Sequence, residues 1–90
     1  MTRYRLRPCA WEEDGDGYWV GALPHGPITR IDGPGLLVLS LFEEPGRTLD
    51  TEELAREIRE IAVDVPANIH NDLSMYLITL TGLGILQVVQ

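Results

Sequence analysis

The sequence contains no lysine, only one cysteine and no apolar run long enough to span a bilayer. Because Cys9 has no second cysteine to pair with, an internal disulfide is excluded and a reducing cytoplasm is the expected location. The basic start at Met1–Arg5 is not followed by the apolar segment of a signal peptide. We therefore expect a cytoplasmic protein that does not bind a membrane.

Basic residues of any kind are scarce. The chain has seven basic residues, all arginine, against 14 Asp and Glu, and its formal net charge is −7. A nucleic-acid partner needs a basic surface, so this charge speaks against one. The length of 90 residues and the hydrophobic content of 44% predict a single globular domain, residues 1–90.

Residues suited to catalysis or metal binding are also few. His25 and His70 are far apart and lack the close ligand spacing of zinc motifs, and Cys9 lies near neither in the sequence. The acidic stretch Glu12–Gly17 lacks the closing glutamate of a calcium loop. Gly33–Gly35 lacks the lysine of a phosphate-binding loop. We expect no enzymatic activity, no bound metal and no cofactor.

The first third of the chain predicts short strands. Arg3–Arg7 alternates polar and apolar residues, and Tyr18–Val20 carries β-type side chains. These two segments are expected to pair as a hairpin across an acidic turn. Ile28–Ile31 predicts a third strand, preceded by Pro27. Because proline has no N–H to give to a ladder, this third strand is expected at a sheet edge.

The remainder predicts three helices. Asp32 as N-cap and Pro34 in the first turn favour a helix over Leu36–Phe42, with a buried strand as the alternative for so short a run. Asp50–Glu53 is a capping pattern for a second helix. A third helix is expected from Ala67 or Asn68 to Gly82 and Gly84, before a short terminal strand or an apolar tail. Its core stripe would contain Ile69, Leu73, Tyr76, Leu77 and Leu80.

The opposite face of the third helix is uncharged. Met75 and Ile78 point away from the core stripe, and the neighbouring Asn71 and Ser74 are polar but carry no charge. A surface helix normally places charged residues there, so this face predicts a contact surface. The alternative is that the C-terminal segment folds back and covers Met75 and Ile78.

Three short strands followed by three helices, in an acidic chain of this length, resemble the PqqD-like family of peptide recognition elements. The resemblance covers nearly the whole chain and rests on the order and spacing of several motifs. These are Tyr4–Pro8, Asp32, Leu36–Phe42, Gly46–Asp50, Glu53–Leu54, Asp72–Leu73, Tyr76–Leu77, Leu80 and Gly84–Leu86. The resemblance implies a winged-helix-like α+β domain, with a three-stranded N-terminal antiparallel sheet followed by a three-helix bundle.

The resemblance also implies a function, namely non-catalytic binding of the leader segment of a ribosomally synthesised precursor peptide. The leader would add as a strand to the third strand, pack on the third helix and be presented to a maturation enzyme. That partner would be a radical SAM enzyme, a cyclase or a leader protease. The expected peptide-binding residues are Ile28, Thr29, Arg30, Ile31, Asn71, Ser74, Met75 and Ile78.

Two of these residues have specific expected roles. Arg30 is expected to pair with an acidic residue of the leader. Thr29 is expected to offer a main-chain amide at the open edge, so that Thr29→Pro would weaken binding.

Two other functions fit parts of the sequence. A structural or oligomerisation domain would pair its uncharged helix face with a second copy and form a homodimer. A winged-helix DNA-binding regulator shares the order of elements, but it would require a basic recognition helix. Residues 68–81 carry only His70, Asp72 and Tyr76 as ionisable groups.

Overall fold

The computed structural model describes residues 2–89 and shows a mixed α+β domain. Its strands are β1 (Arg3–Leu6), β2 (Cys9–Asp14), β3 (Gly17–Ala22), β4 (Ile28–Asp32), β5 (Leu49–Asp50) and β6 (Leu86–Val89). Its helices are α1 (Pro34–Ser40), α2 (Thr51–Ile61) and α3 (Ile69–Gly82). The strands form two three-stranded antiparallel sheets, with strand orders β5–β1–β6 and β2–β3–β4.

A tight turn joins β2 to β3, and Asp14 pairs with Gly17 across it. Gly15 has φ 63°, the left-handed conformation that a two-residue type II′ turn needs at its first central position. The sequence did not predict β2, because its run Glu12–Asp14 is made of residues that are disfavoured in strands. Pairing along the whole of β3 overrides that preference.

The predicted pairing of Arg3–Arg7 with Tyr18–Val20 is wrong. β1 pairs instead with β5 and β6 in the other sheet, where Tyr4 is buried. The predicted order of an N-terminal sheet followed by a bundle is therefore also wrong, since α1, α2 and α3 lie in the sequence between strands of that sheet. Alternation along a strand decides which side chains are buried, but it does not decide which strand lies alongside.

The starts of the helices agree only in part with the predictions. α1 forms a helix and not the alternative buried strand, but its N-cap is Gly33, with φ 49°, and not Asp32. Asp32 ends β4, and its carboxylate bonds the guanidinium of Arg30 instead of a helix amide. α2 has the predicted cap: the Glu53 amide donates to Asp50 Oδ1 at 2.8 Å, and the Asp50 amide donates to Glu53 Oε1 at 3.1 Å.

The core is built from both sheets and all three helices. Its largest fully buried side chains are Val20, Leu39, Phe42, Leu54, Leu77, Leu80, Ile85 and Leu86. β6 packs along β1 and leaves the outer face of α3 uncovered, with Met75 69% and Ile78 62% exposed. The alternative in which the terminal segment hides Met75 and Ile78 is thus wrong for the chain up to residue 89. In the same part of the chain, no helix has both the length and the apolar character needed to cross a membrane.

Candidate functional site

β4 lies at one edge of its sheet, as expected from Pro27. Among the described strands it pairs only with β3, so its other side is open. Ile31 is buried and Thr29 half-buried on the inner face, whereas Ile28 and Arg30 are exposed on the outer face. An open edge leaves a row of main-chain donors and acceptors available to another chain.

The alternation of hydrogen bonds in the sheet decides which amides of β4 face that open edge. The Leu23 amide donates to the Pro8 carbonyl at 3.0 Å, and the two-residue turn closes the other end of the β2–β3 ladder. Because bonded and non-bonded pairs alternate along antiparallel strands, the residues of β3 that bond to β4 are Tyr18 and Val20. Their partners on β4 are Ile31 and Thr29, respectively.

The amide of Thr29 therefore faces β3 and not the open edge. The outward-facing main-chain groups of β4 belong to Ile28, Arg30 and Asp32. The expectation that Thr29→Pro removes an edge amide is wrong, because that proline would remove a bond inside the sheet.

A cavity of about 550 Å³ lies beside the second half of β4, between α1 and α3. Its apolar lining includes Ile31, Leu37, Val38, Ile69, Leu73 and Tyr76. Ile31, Val38 and Leu73 are buried and form its base, whereas the exposed Asp32 and Asp72 lie at its border. Because Arg30, Ile31 and Asp32 of the edge strand line the cavity, the open edge and the cavity adjoin, and we call them together the β4 groove.

Tyr76 packs closely against the start of α1 in this groove. A Cβ atom at Gly35 would overlap the Tyr76 hydroxyl and would lie 2.8 Å from Cγ2 of Ile31, so glycine is what permits the approach. Burial raises the pKa of the Tyr76 phenol, and the negative charge of Asp32 raises it further. The phenol of Tyr76 and the carboxylate of Asp32 both line this cavity.

Asp32→Asn is expected to lower the pKa of Tyr76 relative to the wild type, while leaving it above the usual value of about 10 because the larger cause, burial, remains. The titration is read from tyrosinate absorbance as the difference between each protein and its Tyr76→Phe counterpart. Since the folded state holds this proton more tightly than the unfolded state, stability should fall as the pH rises above about 10. Asp16→Asn is the control, and an unchanged pKa in Asp32→Asn would contradict the placement of this carboxylate beside the phenol.

Arg30 makes four hydrogen bonds within the chain. Its Nε donates to Asp14 Oδ2 at 3.1 Å, its Nη1 to Asp32 Oδ2 at 2.7 Å, and its Nη2 to Asp16 Oδ1 at 3.3 Å. Nη2 also donates to the main-chain oxygen of Asp14 at 2.9 Å. An acidic residue of a ligand would have to compete with these three carboxylates for Arg30.

The eight predicted site residues are not all brought together. Arg30 and Ile31 line the cavity, and Ile28 and Thr29 continue β4 away from it. The face of α3 that lines the cavity is a different one from Asn71, Ser74, Met75 and Ile78. It carries Ile69, Asp72, Leu73 and Tyr76. At 100° per residue, Met75 lies about 60° around the helix from Asp72, and Ile78 about 120°.

The sequence indicated Ile69 and Tyr76 as core residues, and for that reason it did not indicate the cavity. Both side chains are only half-buried, since no element covers them on the β4 side. The sequence did contain a signal of this exposure, because Tyr76 has a polar hydroxyl and Asp72 lies one turn before it on the same helix. These two polar groups indicate that the side of the apolar stripe with Ile69 and Tyr76 is in contact with solvent.

The opposite edge of the same sheet is formed by β2, and a second cavity of about 330 Å³ lies near it, lined in part by Trp11, Tyr18 and Leu36. β2 ends in the three carboxylates Glu12–Asp14. Charged side chains along an edge oppose the addition of another strand. β4 carries β-branched residues and borders the larger cavity, so it is the better candidate.

The groove offers surfaces for binding and few groups for covalent chemistry. Its lining contains neither serine, cysteine nor histidine. Elsewhere, burial raises the pKa of the Cys9 thiol, which lowers its thiolate fraction at neutral pH. Within residues 2–89, no three His, Cys, Asp or Glu side chains are placed to share a metal ion.

Comparisons of this chain with protein-family models, with curated proteins and with solved structures give no match. The inference about its function is therefore drawn from the β4 groove.

Proposed function

We propose that this protein binds an extended peptide as an additional strand on β4, with an apolar side chain of the peptide in the adjoining cavity. The observation that carries the proposal is that residues of the open edge strand β4 also line an apolar cavity of about 550 Å³. In this mode of recognition, main-chain hydrogen bonds supply affinity and pockets for alternate side chains supply specificity.

The energetics suit a binding site of moderate affinity. Each main-chain hydrogen bond to an outward-facing group of β4 contributes about 1 kcal/mol net. Burial of one large aliphatic side chain contributes about 2 kcal/mol. The cavity contribution therefore equals that of about two edge bonds, and loss of either the edge or the cavity should be easy to measure.

The proposed peptide is the leader segment of a ribosomally synthesised precursor, as in the PqqD-like family. The arrangement that supports this part of the proposal is the sheet β2–β3–β4 with α1 and α3 beside its open edge, which we take as the winged-helix-like unit. The protein would not act on the peptide itself. It would hold the precursor near a radical SAM enzyme, a cyclase or a leader protease and so raise its effective concentration.

Residues outside the cavity have a secondary part in this proposal. Met75 lies next to the cavity face of α3, and its flexible side chain is suited to contact a peptide that leaves the groove. Asn71, Ser74 and Ile78 extend that surface farther around the helix.

A second function, self-association, is favoured by the exposure of Met75 and Ile78, 69% and 62%. Two copies of an uncharged helix face can bury each other. Sedimentation of the wild type and of Ile78→Glu tests this function. A dimer that is lost in the variant would support it, and a monomer at all concentrations would exclude it.

The peptide-binding function is tested by selection from a random library of 12-residue peptides on the immobilised protein. Selected peptides are then titrated by fluorescence anisotropy. We expect extended sequences with an apolar residue at a recurring position, and we expect binding to be lost when the cavity is filled. Selected peptides that bind equally well to a protein with a filled cavity, or a selection that yields no binder, would contradict the function.

A further inference from the structure

The border of the β4 groove carries an excess of negative charge. The charged residues that line the cavity are Arg30, Asp32 and Asp72. The guanidinium of Arg30 pairs with Asp14, Asp16 and Asp32, so its single positive charge is outnumbered by three carboxylates, and Asp72 adds a fourth negative charge to the cavity lining. A ligand that lies along β4 therefore meets a field that attracts positive charge.

Asp72 is the carboxylate that α3 contributes to the lining of the cavity. It lies in the first turn of α3, where the helix dipole favours a negative charge. Among the contacts of residues 2–89 it makes no ion pair, and α3 contains neither lysine nor arginine. The carboxylate of Asp72 therefore has no lysine or arginine partner on its own helix.

Asp32 approaches the same groove from the end of β4. Only its Oδ2 contacts Arg30, and the side chain remains 58% exposed. Its negative charge also acts on the phenol of Tyr76, which lines the cavity. Asp32 and Asp72 thus line the cavity from two different elements. Asp32 belongs to β4 and Asp72 belongs to α3.

An extended peptide presents side chains to one face at every second residue, about 7 Å apart. The side chain that follows the cavity residue on the same face therefore reaches the border of the groove. We propose that the peptide bound at β4 carries an arginine or a lysine two residues from its apolar cavity residue, and that Asp32 and Asp72 bind this cation. This inference rests on the proposed function. It gives the peptide a basic residue at the groove, whereas an acidic residue that pairs with Arg30 was expected from the sequence.

The test uses the most enriched 12-residue peptide from the random library and a copy in which its basic residue is replaced by glutamine. Both are titrated against the wild type, Asp72→Asn and Glu60→Gln. Glu60 is exposed on α2 and does not line the groove, so its variant has the same net charge as Asp72→Asn. We expect the glutamine copy to bind the wild type about three- to tenfold more weakly at low salt.

The same glutamine replacement should have little effect on binding to Asp72→Asn and its full effect on binding to Glu60→Gln. Raising the salt concentration should reduce the difference between the two peptides. Enriched peptides that require the cavity but are neutral or acidic, or a basic residue whose effect is the same in Asp72→Asn, would overturn the inference and leave the proposed function in place. Peptides that bind regardless of the cavity, or the absence of any binder, would overturn both.

Discussion

Arg30→Pro is expected to weaken binding of the selected peptide by about tenfold relative to Arg30→Ala, with no loss of fold. The Arg30 amide faces the open edge, so proline removes a donor that the peptide needs and places its ring where the added strand would lie. Thr29→Pro, one residue earlier, is expected to lower the free energy of unfolding by about 2 kcal/mol, because it breaks the bond to Val20 within the sheet.

Two measurements separate these effects. Urea unfolding gives the stability of each variant, and anisotropy gives its affinity for the peptide. Arg30→Ala is the matched control, since it loses the same contacts to Asp14, Asp16 and Asp32 but retains the amide. If Arg30→Pro destabilised the sheet and Thr29→Pro did not, the assignment of outward-facing amides on β4 would be wrong.

Leu37→Trp is expected to weaken peptide binding by at least tenfold while the protein remains folded. Leu37 lines the cavity from α1 and is half-buried, so an indole at this position has room to enter the cavity and occupy the volume intended for the peptide side chain. Exclusion of one large aliphatic side chain removes about 2 kcal/mol, which corresponds to more than a tenfold change in affinity.

The adjacent residue provides a matched control for this variant. Leu36 is also half-buried on α1, but it lines the cavity near β2. Leu36→Trp is therefore expected to leave the affinity within about twofold of the wild type. Weaker binding in Leu36→Trp together with normal binding in Leu37→Trp would place the peptide at the β2 edge and contradict the proposed site.

Local residue patterns were sufficient to predict much of the secondary structure. The capping residues Asp50 and Glu53 predicted the start of α2, and the expected start of α3 at Ala67 or Asn68 and its end at Gly82 and Gly84 lie within two residues of the observed bounds. These features depend on hydrogen bonds and backbone conformations within a few residues, which a sequence displays directly.

The pairing of strands could not be predicted in this way. β1 pairs with segments from the middle and the end of the chain, Leu49–Asp50 and Leu86–Val89, and no local pattern identifies such distant partners. Asp32 shows a related limit. It has the residue type of an N-cap, but the Arg30 guanidinium two residues away on the same strand competes for its carboxylate.

The sequence predicted which strand and which helix form the candidate site, but it did not predict most of the residues that line it. β4 and α3 both border the groove, but the residues of α3 that line it belong to the stripe that the sequence indicated as core. Which amides of β4 face outward depends on the register of the β2–β3 ladder and its turn, and that register is a property of the paired strands. The role of Thr29 was misjudged for this reason.

The most direct test of strand addition at β4 is amide hydrogen exchange measured by NMR with and without a saturating amount of the selected peptide. The account predicts that the amides of Arg30 and Asp32 exchange rapidly in the free protein and become protected when the peptide binds. The amides of Thr29 and Ile31, already bonded to β3, should be protected in both states. Peptide binding that leaves Arg30 and Asp32 unprotected would contradict strand addition at this edge.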